Sequence, residues 1–555
     1  MSEPAPISVA DAGSPFAAAP SVWKDRLDRW SDAASDWFNP ILVKESRQAL
    51  QSRQFAITFT LLLIAGWGWS WLGTSMIPGL PYAPAGQTML LGYVWILAFP
   101  LIVIIPFTAH RSLASEQEDG TYDLLSITTL LPRQIIGGKL GSAILQIAVY
   151  MSALSPCVAF TYLLKGVDIL LIVHILGYQF LISALLSTVG LLLATFSKSR
   201  ALQSLLSVFL ILALTALYLI CSTWLTVILT EGIGIPFAEP EFWIANGFVL
   251  SIMAAVFALT FLAASANITF PSENRSTTLR YATWLVGCLI IAWGTRYWLR
   301  IEEDDVLFMT ICIFVGYWYL MGAMMTGERD QLSERARRKL PRTILGRIWL
   351  SWFNPGPVAG YLFAVGNLLT LLIIVVQIHL AYRGAFGRFF TADVLPFTLL
   401  LICYAVAYLG FARILLSLIS RTSNVNALVA LLVHFVLLAI GGLAPFAIQG
   451  LMRTWGYTYL QASNFLWTLV VCLDDGFYAV LLAPGPGSFK TPLPVVPVFV
   501  IGSALAMIAY HIVLAGRVIV AQRTEAPQRV QDEERQLHPQ AEVVQRSSPW
   551  DEATE

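Results

Sequence analysis

The chain is short of charge. Only 12% of its 555 residues are Asp, Glu, Lys or Arg, about half the share in an ordinary soluble domain. With 57% of residues hydrophobic, a water-soluble globule is excluded. Catalytic signatures are also missing. No GxxxxGK[ST] occurs, and the Gly138-Lys139 pair lacks both the upstream Gly and a following Ser or Thr, so the chain has no P-loop to cradle nucleotide phosphates. HExxH and GxSxG are absent, and the histidines (His110, His174, His379, His434, His511, His538) have no ligand spacing. A lone His in an apolar run, such as His174 or His434, reads as a hydrogen-bonded packing residue. The six cysteines (Cys157, Cys221, Cys288, Cys312, Cys403, Cys472) form no CxxC pair and read as small buried hydrophobes. The first 40 residues have no basic start leading into an apolar core, so no cleavable signal peptide is expected. The chain is not read as an enzyme, and no nucleic-acid partner is expected.

What the sequence has is apolar length. Runs of about 20 apolar residues, enough to cross a bilayer as helix, recur near 55–74, 88–109, 135–162, 167–195, 202–229, 243–268, 279–299, 306–326, 358–380, 393–412, 424–446 and 496–516. The expected fold is all-α, a polytopic helical membrane protein of about twelve spans. Residues 464–483 are a further apolar run, but Asp474 and Asp475 stand in its middle, where carboxylates at bilayer depth are costly. That run reads as an interfacial or re-entrant segment. With both termini in the cytoplasm, all basic residues fall inside except Lys165, Arg296, Arg300, Arg383, Arg388, Arg453 and Lys490. This follows the positive-inside rule and predicts a multi-pass protein of the cytoplasmic (inner) membrane.

The basic run GERDQLSERARRKLPRTILGR (327–347) divides the chain. WFNP occurs at Trp37–Pro40 and again at Trp352–Pro355, each time shortly before a membrane segment. Trp and Phe suit the headgroup level, and Asn caps a helix whose first residue is Pro. ATFSKSRALQSLLSVFLILAL and SLISRTSNVNALVALLVHFVLLAI share a looser pattern of helix end, basic turn and Leu-rich span. Together they point to a diverged internal duplication. The expected organisation is a cytoplasmic segment 1–38, a six-helix unit 39–270, two added spans 271–326, a basic linker 327–350, a second membrane half 351–520 and a disordered polar tail 521–555.

One loop is unusually organised. ASEQEDGTYDLLSITTLLPRQIIGGKL runs from Ala114 to Leu140 between the second and third expected spans. Span two continues as helix past Arg111 and Glu116, and Gly120 permits a sharp break. Leu124, Ile127 and Leu131 then recur at helical spacing on one face, and Pro132 ends the pattern. The expectation is a short amphipathic helix at the membrane surface. It is either a docking element whose acidic cluster selects a basic rim or a surface helix that only turns the chain.

The pattern Glu116-x-Glu118-Asp119-Gly120-Thr121-x-x-Leu124-Leu125, then Pro132-Arg133 and Gly138-Lys139, resembles the first cytoplasmic loop of ABC-2-type transporter permeases. The resemblance covers roughly residues 39–270. KESRQALQSRQF (44–55) stands where that family has an interfacial helix, and SKSR (197–200) fits its loop between spans four and five. It implies a six-helix permease unit whose loop docks on a separate P-loop ABC ATPase subunit, with Leu124, Leu125 and Ile127 as the buried contact, Glu116, Glu118 and Asp119 setting register, and Gly120 setting the angle. ATP and Mg would be bound by that partner, with no cofactor in this chain. The second half carries no second EDGT copy. A double unit in one chain and an added domain on a homodimerising permease both stay open.

Two acidic clusters complete the inventory. Glu302-Glu303-Asp304-Asp305 reads as a solvated turn on the outer side, and Asp474-Asp475 as a candidate outer-face acidic site. The leading expectation is an ABC-2-type exporter permease moving a lipid-linked, amphipathic or drug-like substrate outward. The alternatives are a polytopic membrane enzyme or assembly factor using Asp474-Asp475, and a non-transporting scaffold docked to an ATPase.

Overall fold

A computed structural model describes residues 39–76, 85–120, 130–164, 166–196, 199–230, 236–270, 276–301, 303–328, 352–353, 355–382, 394–423, 425–453, 457–474, 495–524 and 528–537. Among these the regular structure is all helix, with no strand. The chain divides into two units, Met1–Ile268 and Thr269–Glu555.

In the first unit α1 (Pro40–Leu50) is a short helix with charged residues on its open face. Asn39 caps it, its Oδ1 accepting from the Ile41 N–H at 3.0 Å, and Pro40 occupies the first turn, where its missing N–H is no loss. Ser52 then caps α2 (Arg53–Met76) by accepting from Phe55 N–H at 3.1 Å. The remaining spans are α3 (Gly86–Glu118), α4 (Pro132–Leu163), α5 (Ile169–Ala194), α6 (Arg200–Thr230) and α7 (Pro240–Ile268). Leu97, Leu101, Ile105 and Leu113 of α3, Ile136, Ile147 and Leu154 of α4 and Leu191 of α5 form its main core.

α3 is interrupted. Residues Pro100–Ile104 form a π turn, with Pro106 following. Proline removes a backbone donor and clashes with the preceding turn, so carbonyls upstream lose their helical partners. Side chains of α5 approach this stretch: Ser183 Oγ donates to Leu101 O at 2.5 Å and Gln179 Nε2 to Val94 O at 3.1 Å. A bulged span inside hydrocarbon is tolerable only because such groups replace water.

In the second unit the helices are α8 (Ser276–Ile301), α9 (Asp304–Met325), α10 (Pro357–Tyr382), α11 (Val394–Ile419), α12 (Ala427–Met452), the short α13 (Phe465–Asp474), α14 (Val495–Thr524) and α15 (Gln528–Leu537). Trp318, Tyr361, Phe363, Leu368, Leu400 and Leu409 are in its core.

Each unit packs its six principal helices in the same order. In the first, the second span α3 touches the first, third, fourth and fifth (α2, α4, α5, α6), the fourth (α5) touches the third, fifth and sixth, and α7 closes on α4 and α5. In the second, α9 touches α8, α10, α11 and α12, α11 touches α10, α12 and α14, and α14 closes on α10 and α11. The further pairing of α2 with α4 has no counterpart of similar extent. The helices in 271–326, expected as two added spans, therefore stand as the first two helices of the second unit. The second WFNP then precedes a third span, whereas the first precedes α1 and the first span, so the two copies are not equivalent. Their caps differ as well: the helix after the second copy starts at Pro357, not at Pro355.

Eleven of these helices are long and apolar enough to cross a membrane. The twelfth expected span, α8, is 26 residues long but carries Arg280, Arg296 and Arg300, which lowers its hydropathy. Of the apolar run 464–483, α13 covers Phe465–Asp474, and residues 475–483 lie outside the described residues. The surfaces of the long helices are apolar: Trp67 and Trp71 of α2 and Phe209, Leu212 and Trp224 of α6 are all exposed. So broad an exposed apolar surface is stable in lipid, not in water. The chain is a multi-pass, all-α membrane protein.

Of the acidic run, Glu302 lies outside the described residues, Glu303 and Asp305 are exposed as a solvated segment should be, and α9 begins at Asp304. Carboxylates there favour the positive helix end. The cysteines are less uniform than expected: Cys403 and Cys472 are buried, but Cys288 and Cys312 are exposed on α8 and α9.

Candidate functional site

The organised loop is anchored at both ends. α3 runs on as helix to Glu118, Asp119 caps it by bonding its N–H to Ser115 O at 2.9 Å, and Gly120 follows with φ +70°. That left-handed backbone favours glycine and ends the helix sharply. Thr121, Leu124, Leu125 and Ile127, and with them the expected amphipathic helix, lie outside the described residues. On the far side Pro132 starts α4, and Gln134 Oε1 accepts from the Leu131 N–H at 2.9 Å.

Between these ends lies a buried ion cluster. The Lys139 side chain is only 1% exposed. Its Nζ donates to Glu45 Oε1 at 3.1 Å and to Ser112 O at 3.3 Å, and pairs with Glu116 Oε2 at 3.0 Å. Burying an ammonium is tolerable only with such partners, because desolvation otherwise outweighs every local gain. Lys44, mostly exposed, lies 3.8 Å from Glu116 and adds little. The cluster ties three elements: Glu45 on α1, Glu116 on α3 and Lys139 on α4.

The backbone permits this closeness. A Cβ on Gly138 would sit 2.8 Å from Ile41 Cβ and 3.0 Å from the Leu42 backbone N, so α1 can lie on α4 only where a side chain is missing. Asn39 Nδ2 also reaches across to Gln134 O at 2.5 Å. One turn deeper, His110 is fully buried; Nδ1 lies 3.0 Å from Gly190 O and Nε2 3.1 Å from Ser207 Oγ, joining α3 to α5 and α6.

The second unit has its own buried base. Arg280 of α8 is fully buried and bonds Glu328 Oε2 at 2.7 Å, Trp352 O at 3.1 Å and Gly356 O at 3.2 Å. Glu328 in turn accepts from Ser276 Oγ and from the Gly356 N–H, each at 2.9 Å. Trp352 and Phe353 of the second WFNP therefore help close a buried ion pair, with Phe353 stacked on Tyr281 at 4.2 Å.

At the other expected site, Asp474 is the last residue of α13, and Asp475 lies outside the described residues. Polar bonds hold the start of α13. Asn464 Oδ1 accepts from Trp467 N–H at 3.1 Å, its Nδ2 donates to Gly442 O at 3.1 Å, and Gln461 Nε2 donates to Gln449 Oε1 at 2.7 Å.

The structure thus brings Glu116 together with two residues that sequence reasoning did not select as functional, Glu45 and Lys139. The histidines expected to pack do so: His434 Nδ1 lies 2.7 Å from Ala430 O, and His174 rests against Tyr178, Phe237 and Phe242. No family model, curated protein or solved structure matches this chain.

Proposed function

We propose that the chain is the membrane permease subunit of an ABC-2-type ATP-driven exporter in the cytoplasmic membrane, with ATP and Mg held by a separate P-loop ATPase. The observation that carries this reading is the Glu45–Glu116–Lys139 cluster at the two ends of the loop that resembles the family's docking element. A push on Glu116 reaches α1 and α4 at once, because all three share one buried charge cluster. A docked ATPase needs such rigid linkage if its own closure is to bias a bundle between two states, since a ligand shifts an equilibrium only by its differential affinity. The partner's contact is assigned to Leu124, Leu125 and Ile127, with Glu118, Asp119 and Thr121 at the rim and Gly120 and Pro132 bounding the segment. Both termini lie in the cytoplasm on this reading, and the substrate is lipid-linked, amphipathic or drug-like.

The test is recovery of an ATPase. The protein, tagged and purified in mild detergent from its native host, is expected to bring down a P-loop ATPase. Gly120→Pro with Leu124→Asp abolishes that recovery while leaving membrane insertion intact. Recovery unchanged in the double variant overturns the docking role.

A further inference from the structure

The side chains of α1 fall into strips. At 3.6 residues per turn, Ile41, Leu42, Glu45 and Ser46 share the side that packs on α4, where Gly138 and Gly141 leave room for Ile41 and Leu42. Further round the helix, exposed Val43 and half-buried Leu50 form an apolar flank. Then come Arg47, Gln51 and Lys44, all exposed, and last Gln48. Acyl chain, headgroup and water follow one another in the same order at a membrane surface. Chain connectivity sets the depth. Only Gln51 and Ser52 separate α1 from α2, a span that opens at exposed Arg53. α1 also lies on the first turns of the span α4, with Asn39 bonded to Gln134 O and Glu45 to Lys139. It is therefore held beside the ends of two spans, at headgroup level. Its charge is one-sided as well: the single acid of α1, Glu45, is turned inward onto Lys139.

We propose that the open face of α1 binds the phosphates of anionic phospholipid headgroups through Arg47, Lys44 and Arg53, so that the lipid layer itself holds α1, and with it Glu45, against Lys139. This rests on the chain being a membrane protein and not on any ATPase partner. Arg47 is the specific contact. Its planar fork grips a phosphate through two parallel bonds, while Val43 and Leu50 beside it enter the acyl boundary. Lys44 supplies a point charge between the headgroup and Glu116, which it approaches to 3.8 Å. Arg53, at the first turn of a span, reaches the same layer along its own apolar stem. Anionic lipid is preferred over zwitterionic lipid, because a choline or ethanolamine headgroup would bring a cation to a helix face that carries no acid.

The experiment follows amide hydrogen exchange over α1 in the full chain, in nanodiscs of phosphatidylcholine alone and of phosphatidylcholine with about one third phosphatidylglycerol. Exchange in α1 is expected to be about fivefold slower or more in the anionic disc, the factor that one interfacial cation is worth, and salt of about 0.5 M should erase most of the difference. Arg47→Gln should shrink the difference, and Arg47→Gln with Lys44→Gln should remove it. Arg47→Lys, which keeps the charge but not the fork, should retain part of it. Arg47 is exposed and outside the Lys139 cluster, so its single variants keep the fold. Equal exchange in the two discs overturns the proposal. So does a difference that survives undiminished in the double variant. Slowing of the same size in the neutral disc on adding inorganic phosphate would assign the face to a free anion and overturn the lipid as its partner.

Discussion

Lys139 Nζ and Glu116 Oε2 meet at 3.0 Å between helices α4 and α3, and Glu45 closes on the same ammonium from α1 at 3.1 Å. Removing the cation leaves two partly buried carboxylates facing each other. Lys139→Met is therefore expected to lower stability by about 3–5 kcal/mol, the usual cost of breaking a buried pair from one side. Adding Glu45→Gln and Glu116→Gln to the same chain should recover most of that loss, because neutral groups need no counter-charge. Thermal unfolding followed by detergent size-exclusion reads both. A triple variant no more stable than the single one would show that the cluster does not act through charge.

Gly138→Val tests the contact of α1 with α4. The added side chain meets Ile41 and the backbone of Leu42, and the backbone cannot give way as a side-chain tip would. The expected outcome is release of α1 from α4, read as faster proteolysis of residues 40–50 than in the parent. The spans themselves should still insert. An unchanged rate of cutting would mean that α1 is held elsewhere.

The π turn of α3 offers a third check. Ser183 donates to Leu101 O from α5, and Ser183→Ala leaves that buried carbonyl short of a partner. The cost is about 1–3 kcal/mol. Local hydrogen exchange over residues 101–105 in nanodiscs should accelerate while the rest of α3 is unaffected. Uniform acceleration along α3 would show that the bond serves the whole fold, not the turn.

A fourth prediction concerns α13. Asn464 both caps this helix and ties it to Gly442. Asn464→Ala removes a cap worth about 1 kcal/mol together with the tie to α12. A protease site engineered after residue 474 should then be cut several times faster than in the parent, without change in the amount of inserted protein. Equal cutting rates would assign the hold on α13 to the Gln461–Gln449 bond and to Thr468, whose Oγ1 donates to Gln461 O at 3.1 Å.

Much of this architecture could be read from residues in order. The spans are long apolar runs, and length alone identifies them. Asn39-Pro40 reads as a cap because the signal is local, whereas Pro132, read as the end of the short loop helix, is where α4 begins. The pairing of Lys139 with Glu45 was not legible. The two residues are 94 positions apart, and each looks like an ordinary interfacial charge until the helices are packed. Arg280 shows the same limit: at the edge of an expected span it counts as a topology signal, yet it is fully buried against Glu328. WFNP misled in the opposite direction. Two identical tetrapeptides mark different places in the two packing orders, because the same residues suit any helix start at an interface.

Arg280 also sets an order of assembly. Its partners Glu328, Trp352 and Gly356 lie 48, 72 and 76 residues further along the chain. When α8 first leaves the ribosome its guanidinium has none of these partners to hold, so stable insertion of this least apolar of the long helices is expected only once α9 and the start of α10 have been synthesised. A nascent chain halted before Glu328 is expected to hold α8 less firmly in the membrane than one extended past Gly356.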